Sequence, residues 1–181
     1  MNTYKIIKKY YKPGSKQYEI LVNHSQAVAG KALIFARNYK VRKLDTKFIK
    51  EAAMLHDIGI YLTDAPECEC FGREPYIKHG ILGRNILDNE GLNKHGLVCE
   101  RHIGVGLSKE EIKRNNFPLP KRDMLPRTEE EEIICLADLF FTKIEKNLFR
   151  EKSLGSIRKK YAKYGKEDSK RLEKLINKYL K

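Results

Sequence analysis

The 181-residue sequence predicts an all-α protein, a bundle of roughly six to eight helices. Three observations carry that reading. Apolar residues recur at helical spacing nearly everywhere, and alternating β-branched runs are few. Several of these segments open on Ser, Thr or Asp placed as N-caps. Stretches containing Pro or Gly separate them.

The first helix covers about residues 2–12 and stops at Pro13 and Gly14, a turn signal. Residues 16–39 keep helical spacing, with a break expected near Asn23. Asp45 or Thr46 caps the segment TKFIKEAAMLHD, which ends near Gly59. Residues 61–75 hold two prolines, a glycine and several charges, and read as a loop. A helix from about Tyr76 to Asn89 has Gly91 as its natural C-cap, and another spans about 93–103. Ser108 and Glu111 form a capping box. Three prolines mark 116–127 as a loop. Thr128 and Glu131 form a second box, whose acids complement the positive end of the helix dipole, and that helix continues through ICLADLFFTKIEKN. From Glu167 a basic amphipathic helix carries Leu172, Leu175, Ile176, Tyr179 and Leu180 on one face. The chain reads as one domain over 1–181, with a core at about 20–142 and a basic helical extension at about 150–181.

Composition narrows the setting. Hydrophobic residues make up 41%, and no run approaches the length of a membrane span. Lys and Tyr interrupt the apolar residues of MNTYKIIKKYY, so it does not read as a signal peptide, and the cytoplasm is the expected location. Cys68 and Cys70 form a single C-x-C without a second pair, so these two, Cys99 and Cys135 are expected as free thiols. Lys and Arg number 37 against 24 acids, a net charge of +13. Such a field attracts phosphates or nucleic acid, or it belongs to a solvated lysine-rich surface. No membrane partner is expected.

The informative anomaly is where histidines and aspartates fall. His24 shares a helix face with Leu21, Ala27 and Val28, and His56 follows Ile49, Ala52 and Ala53. His79 precedes Leu82 and Ile86, His102 follows Val98 and Cys99, and Asp138 sits among Ile134, Cys135 and Phe141. A buried carboxylate is costly unless paired, hydrogen-bonded or bound to metal. His56 and Asp57 would point about 100° apart on a regular helix. At a helix end, with Gly59 permitting a sharp turn, both could reach one centre. A mixed nitrogen and oxygen donor set suits Fe, Mn, Co, Ni or Zn, as one or two divalent ions, better than calcium or magnesium.

The ordered segments HSQAVA (24–29), AAMLHDIG (52–59), HGILGRNILDNEGL (79–92), ERHIG (100–104) and LAD (136–138) resemble the HD-domain superfamily of metal-dependent phosphohydrolases. More narrowly they resemble small HDIG proteins carrying ERHIGxGLxxEE and a downstream stretch that here reads MLPRTEEEEI. The similarity covers roughly residues 20–142. It implies an HD-domain helical bundle in which His24, His56, Asp57 and Asp138 form the core metal site. His79 and His102 match the histidines that serve a second ion, with Asp57 bridging and catalytic. One departure is Ile60, where many such proteins place Lys or Arg against substrate phosphate. Lys78, Arg84 and Arg101, beside predicted ligands, are the candidates to replace it. His95 lies two turns before His102, roughly 10 Å along the helix, too far to share its ion.

The expected reaction is hydrolysis of a nucleotide or another small phosphate ester by metal-activated water. The same ligands serve a di-iron centre that activates oxygen in some relatives. A reading from another class makes the chain a nucleic-acid-binding or scaffold module, through its basic C-terminal region with Tyr161, Tyr164 and Tyr179. The 63–75 segment, with Cys68, Cys70, Arg73 and Glu74, is expected beside the pocket.

Overall fold

The computed structural model describes residues 1–143 and 150–180. Among them are nine α-helices and a small three-stranded sheet. In chain order these are α1 (Thr3–Tyr10), α2 (Lys16–Asn38), α3 (Thr46–Leu55), β1 (Thr63–Ala65), β2 (Cys70–Phe71), β3 (Glu74–Pro75), α4 (His79–Asn89), α5 (Asn93–Arg101), α6 (Lys109–Arg114), α7 (Glu129–Asp138), α8 (Leu154–Tyr164) and α9 (Lys166–Tyr179). No described helix is long and apolar enough to cross a membrane.

Side-chain caps start most of the helices. Asn2, Ser15, Asp45 and Ser153 each accept a backbone N–H from the first turn, so Asp45 rather than Thr46 opens α3. Ser108 and Glu111 cap α6 reciprocally. The box expected at Thr128 is one-sided. Thr128 accepts from the Glu131 N–H, but the Glu131 carboxylate turns away to the Arg127 N–H at 2.7 Å and to Arg101.

α2 is the central helix and runs unbroken through Asn23, packing against both α3 and α7. Tertiary burial along its length outweighs the local cost of one Asn. Leu21, Val28, Ala32 and Phe35 of α2 meet Ala52, Leu55, Ile133, Ile134 and Leu136 in the core. Leu172, Leu175, Ile176 and Tyr179 of α9 join the same core, so the apolar face of the basic tail is spent on the fold. Tyr179 and Lys178 fasten it by donating to Glu132 at 2.6 and 2.8 Å.

Two further expectations are corrected. Residues 61–75 are more than a loop: β1 pairs antiparallel with β2 and parallel with β3, flanked by 3-10 turns. Strands of two or three residues are too short to display alternation. The helix expected to run through residue 147 ends at Asp138. Tight turns follow, Phe140 N–H to Ala137 and Phe141 N–H to Asp138, and both phenylalanines are buried, Phe140 edge-on against Phe35. Residues 144–147 of that expected helix lie outside the described residues. The C-terminal extension is helical as expected, with α9 beginning one residue before Glu167, and α8 precedes it across a break at Gly165, whose φ of +133° favours glycine. This takes the helix total past eight.

Gly59 is needed for proximity rather than for a special turn. Its φ and ψ of −81° and −5° suit any residue. A Cβ there would lie 2.3 Å from the His79 carbonyl oxygen and 2.4 Å from the Gly83 nitrogen. Gly59→Ala is therefore expected to destabilise the fold by about 1–3 kcal/mol through overpacking and to displace α4, which carries His79. Thermal denaturation checks this, and an unchanged Tm would refute the packing argument.

Candidate metal centre

Six side chains from five segments converge. His24 lies within α2. His56 and Asp57 directly follow α3, His79 is the first residue of α4, His102 directly follows α5, and Asp138 is the last residue of α7. His24, His56, Asp57, His79 and His102 are all buried, and Asp138 is nearly so.

Three of the four imidazoles are oriented in the same way. Nδ1 of His56, His79 and His102 lies 2.6, 2.7 and 2.8 Å from the carbonyl oxygens of Ala53, Tyr76 and Cys99, each three residues earlier. A carbonyl only accepts, so Nδ1 carries the proton and donates. In the neutral ring, Nε2 then presents a lone pair. These Nε2 atoms point inward. His24 has no such partner on Nδ1.

The Nε2 atoms surround Asp57, one carboxylate oxygen per side. Asp57 Oδ2 lies 3.2 Å from His24 Nε2 and 3.0 Å from His56 Nε2, while Oδ1 lies 3.5 Å from His79 Nε2 and 3.3 Å from His102 Nε2. Asp138 Oδ1 closes the first side at 3.0 Å from His24 and 3.6 Å from His56. Two donor groups result, His24/His56/Asp57/Asp138 and Asp57/His79/His102, and the donor atoms within each lie within 4.8 Å of one another. Asp57 belongs to both.

These donors fit a metal. Asp57 Oδ1 and the Nε2 atoms of His24 and His56 are buried without hydrogen-bond partners, and Asp57 Oδ2 faces the Lys143 ammonium at 2.8 Å. His79 Nε2 and His102 Nε2 face each other at 3.1 Å. With both Nδ1 positions protonated, two lone pairs meet there, an arrangement that calls for a shared cation or proton. Four histidine nitrogens and two carboxylates are a donor set for transition metals.

The local field attracts positive charge. Burial opposes ionisation of Asp57, but His56 and then Lys143 outweigh it and hold its pKa well below the carboxylate range. Asp138 is likewise held down, chiefly by Lys143, against its burial. Asp57 pushes His56 up to about 10 despite burial, whereas burial takes His79 down to about 3.

Lys143 is the residue that sequence reasoning missed. Its Nζ lies 2.8 Å from Asp57 Oδ2. It lines a cavity of about 390 Å³ together with His79, His102, Asp138, Lys152 and Lys160. Had α7 continued, Lys143 would have sat about 140° around the helix from Asp138. The turn after Asp138 returns it to the centre.

Lys78, Arg84 and Arg101 are not among the described residues lining this cavity. Lys78 pairs with Glu74 at 2.6 Å. Arg84 joins buried Glu100 and, at 3.3 Å, Asp88, while Arg101 pairs with Glu131 at 2.9 Å. These acids draw them away from the donors. His95 packs edge-on against Phe48 and faces Glu51, apart from the donor groups. Glu67 and Cys68 do line the cavity, so the 3-10 turn between β1 and β2 borders it. Burial pushes the Cys68 and Cys70 thiols up to about 11 and about 12, and neither belongs to the donor groups.

Comparison with known proteins places this site in a family context. The profile of the family described as HD domain matches residues 21–142. An uncharacterized protein of Methanocaldococcus jannaschii is 37% identical over 130 residues, covering 69% of each chain. A tRNA (cytidine(56)-2'-O)-methyltransferase of Thermoplasma volcanium is 30% identical over 168 residues, 92% of this chain but 44% of that protein. The corresponding enzyme of Picrophilus torridus is 33% identical over 95 residues, 52% of this chain and 24% of its own. This chain thus spans less than half the length of either methyltransferase. No solved structure matches.

Two overlapping donor groups make a stoichiometric prediction. Elemental analysis of purified protein is expected to find two transition-metal ions per chain. Replacing His79 and His102 together by Ala should leave one, and Asp57→Ala should reduce occupancy at both positions. Equal content in the wild type and the double-histidine variant would remove the second position.

Proposed function

The chain belongs to the HD domain family, and from that membership and its buried donor set we propose that it is a metal-dependent phosphohydrolase acting on a nucleotide or another small phosphate ester. One observation carries the reading furthest: the two donor groups that share Asp57 present His79, His102 and Asp138 to a cavity lined, among the described residues, by Lys143, Lys152 and Lys160. Fe, Mn, Co, Ni or Zn ions held there would activate water and offset charge on phosphoryl oxygens.

The chain's own residues supply the rest. Asp57 holds both positions in register through its two oxygens. The Nδ1–H bonds to Ala53, Tyr76 and Cys99 keep three rings aimed with Nε2 inward. Lys143, Lys152 and Lys160 line the cavity; Lys160 is placed to hold phosphate oxygens, while Lys143 and Lys152, which meet Asp57 and the Phe141 carbonyl, add positive charge beside it. In this role Lys160 replaces the basic residue absent at Ile60. The Tyr76 ring lies 4.6 Å from that of His79 and shields it from water. In the reaction a water oxygen bonds to phosphorus, the ester P–O bond breaks, and the leaving oxygen gains a proton.

The lysine wall favours a phosphate over the oxygen-activating chemistry that the same donors allow at a di-iron centre. Similarity to part of two tRNA methyltransferases supports a nucleic-acid component as the source of the ester.

The test is a screen of metal-loaded protein against nucleoside phosphates and simple phosphate esters. Turnover is expected, and Asp57→Asn should abolish it while the circular dichroism spectrum stays native. Lys160→Ala should raise KM about tenfold, the scale of one charge-assisted hydrogen bond. Arg84→Ala, by contrast, should lower Tm and leave KM unchanged. Absence of turnover on every ester by the fully metallated protein would overturn the proposal.

A further inference from the structure

The cavity at the metal centre continues past its lysines. A second groove, of about 580 Å³, shares Tyr76, Ile103, Gly104, Lys160 and Tyr161 with it. Its far end is lined by Arg114, Lys163 and Tyr164. The first cavity alone has the volume of a small-ligand pocket. The second is room beyond what a mononucleotide needs.

The chemistry of the far end is specific. Lys160, Lys163 and Tyr164 fall at helical spacing that puts them on one face of α8, with about 5–6 Å between Cβ atoms three positions apart. That separation is on the scale of neighbouring phosphates along a strand. Tyr164 is 52% exposed, and Tyr76, at the junction of the two spaces, is 39% exposed. The Tyr164 ring is steadied from one side by the edge of Tyr161, with centroids 5.4 Å apart, and Lys160 Nζ lies 5.7 Å from its centroid. A partly exposed, supported aromatic face beside cationic side chains is the arrangement that stacks a nucleobase while neutralising its phosphate. The acids in the groove, Glu111 and Asp168, are both taken up by Arg171. They leave Arg114 and Lys163 to an incoming anion.

We propose that the substrate is an oligonucleotide of at least two residues, with its reacting phosphate ester at the donor groups, its next phosphate on Lys163 and Arg114, and its next base on Tyr164. This rests on the phosphohydrolase reading and adds the substrate's length.

The test compares AMP with 5′-phosphorylated diadenylate on the metal-loaded full chain, by calorimetric affinity and by kcat/KM, counting phosphate or AMP as product. The dinucleotide is expected to be preferred by at least about tenfold, the scale of one base–aromatic stack. Tyr164→Ala should erase that preference, Tyr164→Phe should keep it, and Lys163→Gln should weaken dinucleotide binding. AMP should change by less than about twofold in all three, and the exposure of Tyr164 protects the fold. Equal affinity for the two ligands, or equal losses for both in Tyr164→Ala, would overturn the proposal. If neither is turned over, the hydrolase reading fails separately. Calorimetry still decides the groove, because a dinucleotide preference lost in Tyr164→Ala upholds it and no preference removes it.

Discussion

The fold is organised around one costly act, the complete burial of the Asp57 carboxylate. An ionised carboxylate taken out of water loses several kcal/mol of solvation unless charge and geometry compensate for it. No backbone N–H or hydroxyl of the described residues donates to the oxygens of Asp57. Instead, four imidazole nitrogens and the Lys143 ammonium stand within 3.5 Å of them. The cost of burial and the candidate metal centre therefore meet at a single residue. Its burial is tolerable because cations, or groups that hold cations, surround it, and the helices must deliver those groups from distant parts of the chain.

Helix ends make the delivery possible. The last carbonyls of a helix have no partner within it. Ala53 and Cys99 lie in the final turns of α3 and α5, and their carbonyls accept the Nδ1–H of His56 and His102. The otherwise unpaired carbonyls thus fix the ring tautomer and aim. Close helix approach completes the arrangement. A Cβ at Gly80 would lie 2.5 Å from the Cys99 carbonyl oxygen and one at Gly83 would press on the Cys99 side chain, so these glycines let α4 and α5 approach while His79 and His102 face the same carboxylate oxygen.

Much of this was legible in the sequence. Polar residues on apolar helical stripes mark a buried polar cluster, and capping residues mark helix starts. Asp138, between Ile134 and Phe141, is such a residue. What was illegible depends on how the chain turns. Lys143 reaches Asp57 only because α7 stops at Asp138. Lys78 and Arg101 are next to ligands in sequence, but Glu74 and Glu131 hold them outside the cavity lining, and sequence spacing does not show those pairings. The three short strands carried no periodicity to read.

Net charge was the weakest guide, because most of its bearers near the core serve the fold. Arg42 pairs with Glu129 and Glu130, Arg84 and Arg122 with Glu100, Arg101 with Glu131, and Arg171 with Glu111 and Asp168. The charge that matters to an anionic ligand is local. Asp57 and Asp138 alone would repel a phosphate. On the proposed function, cations at the donor groups would reverse that field, and the lysines of the cavity wall would extend the positive potential outward within low-dielectric walls, which focus it. Affinity for phosphate should therefore depend on metal occupancy first and on the lysines second. The lysines differ in the same sense, since Lys143 is tied to Asp57 at 2.8 Å and belongs to the centre, whereas Lys160 lies further out, at the junction with the neighbouring groove.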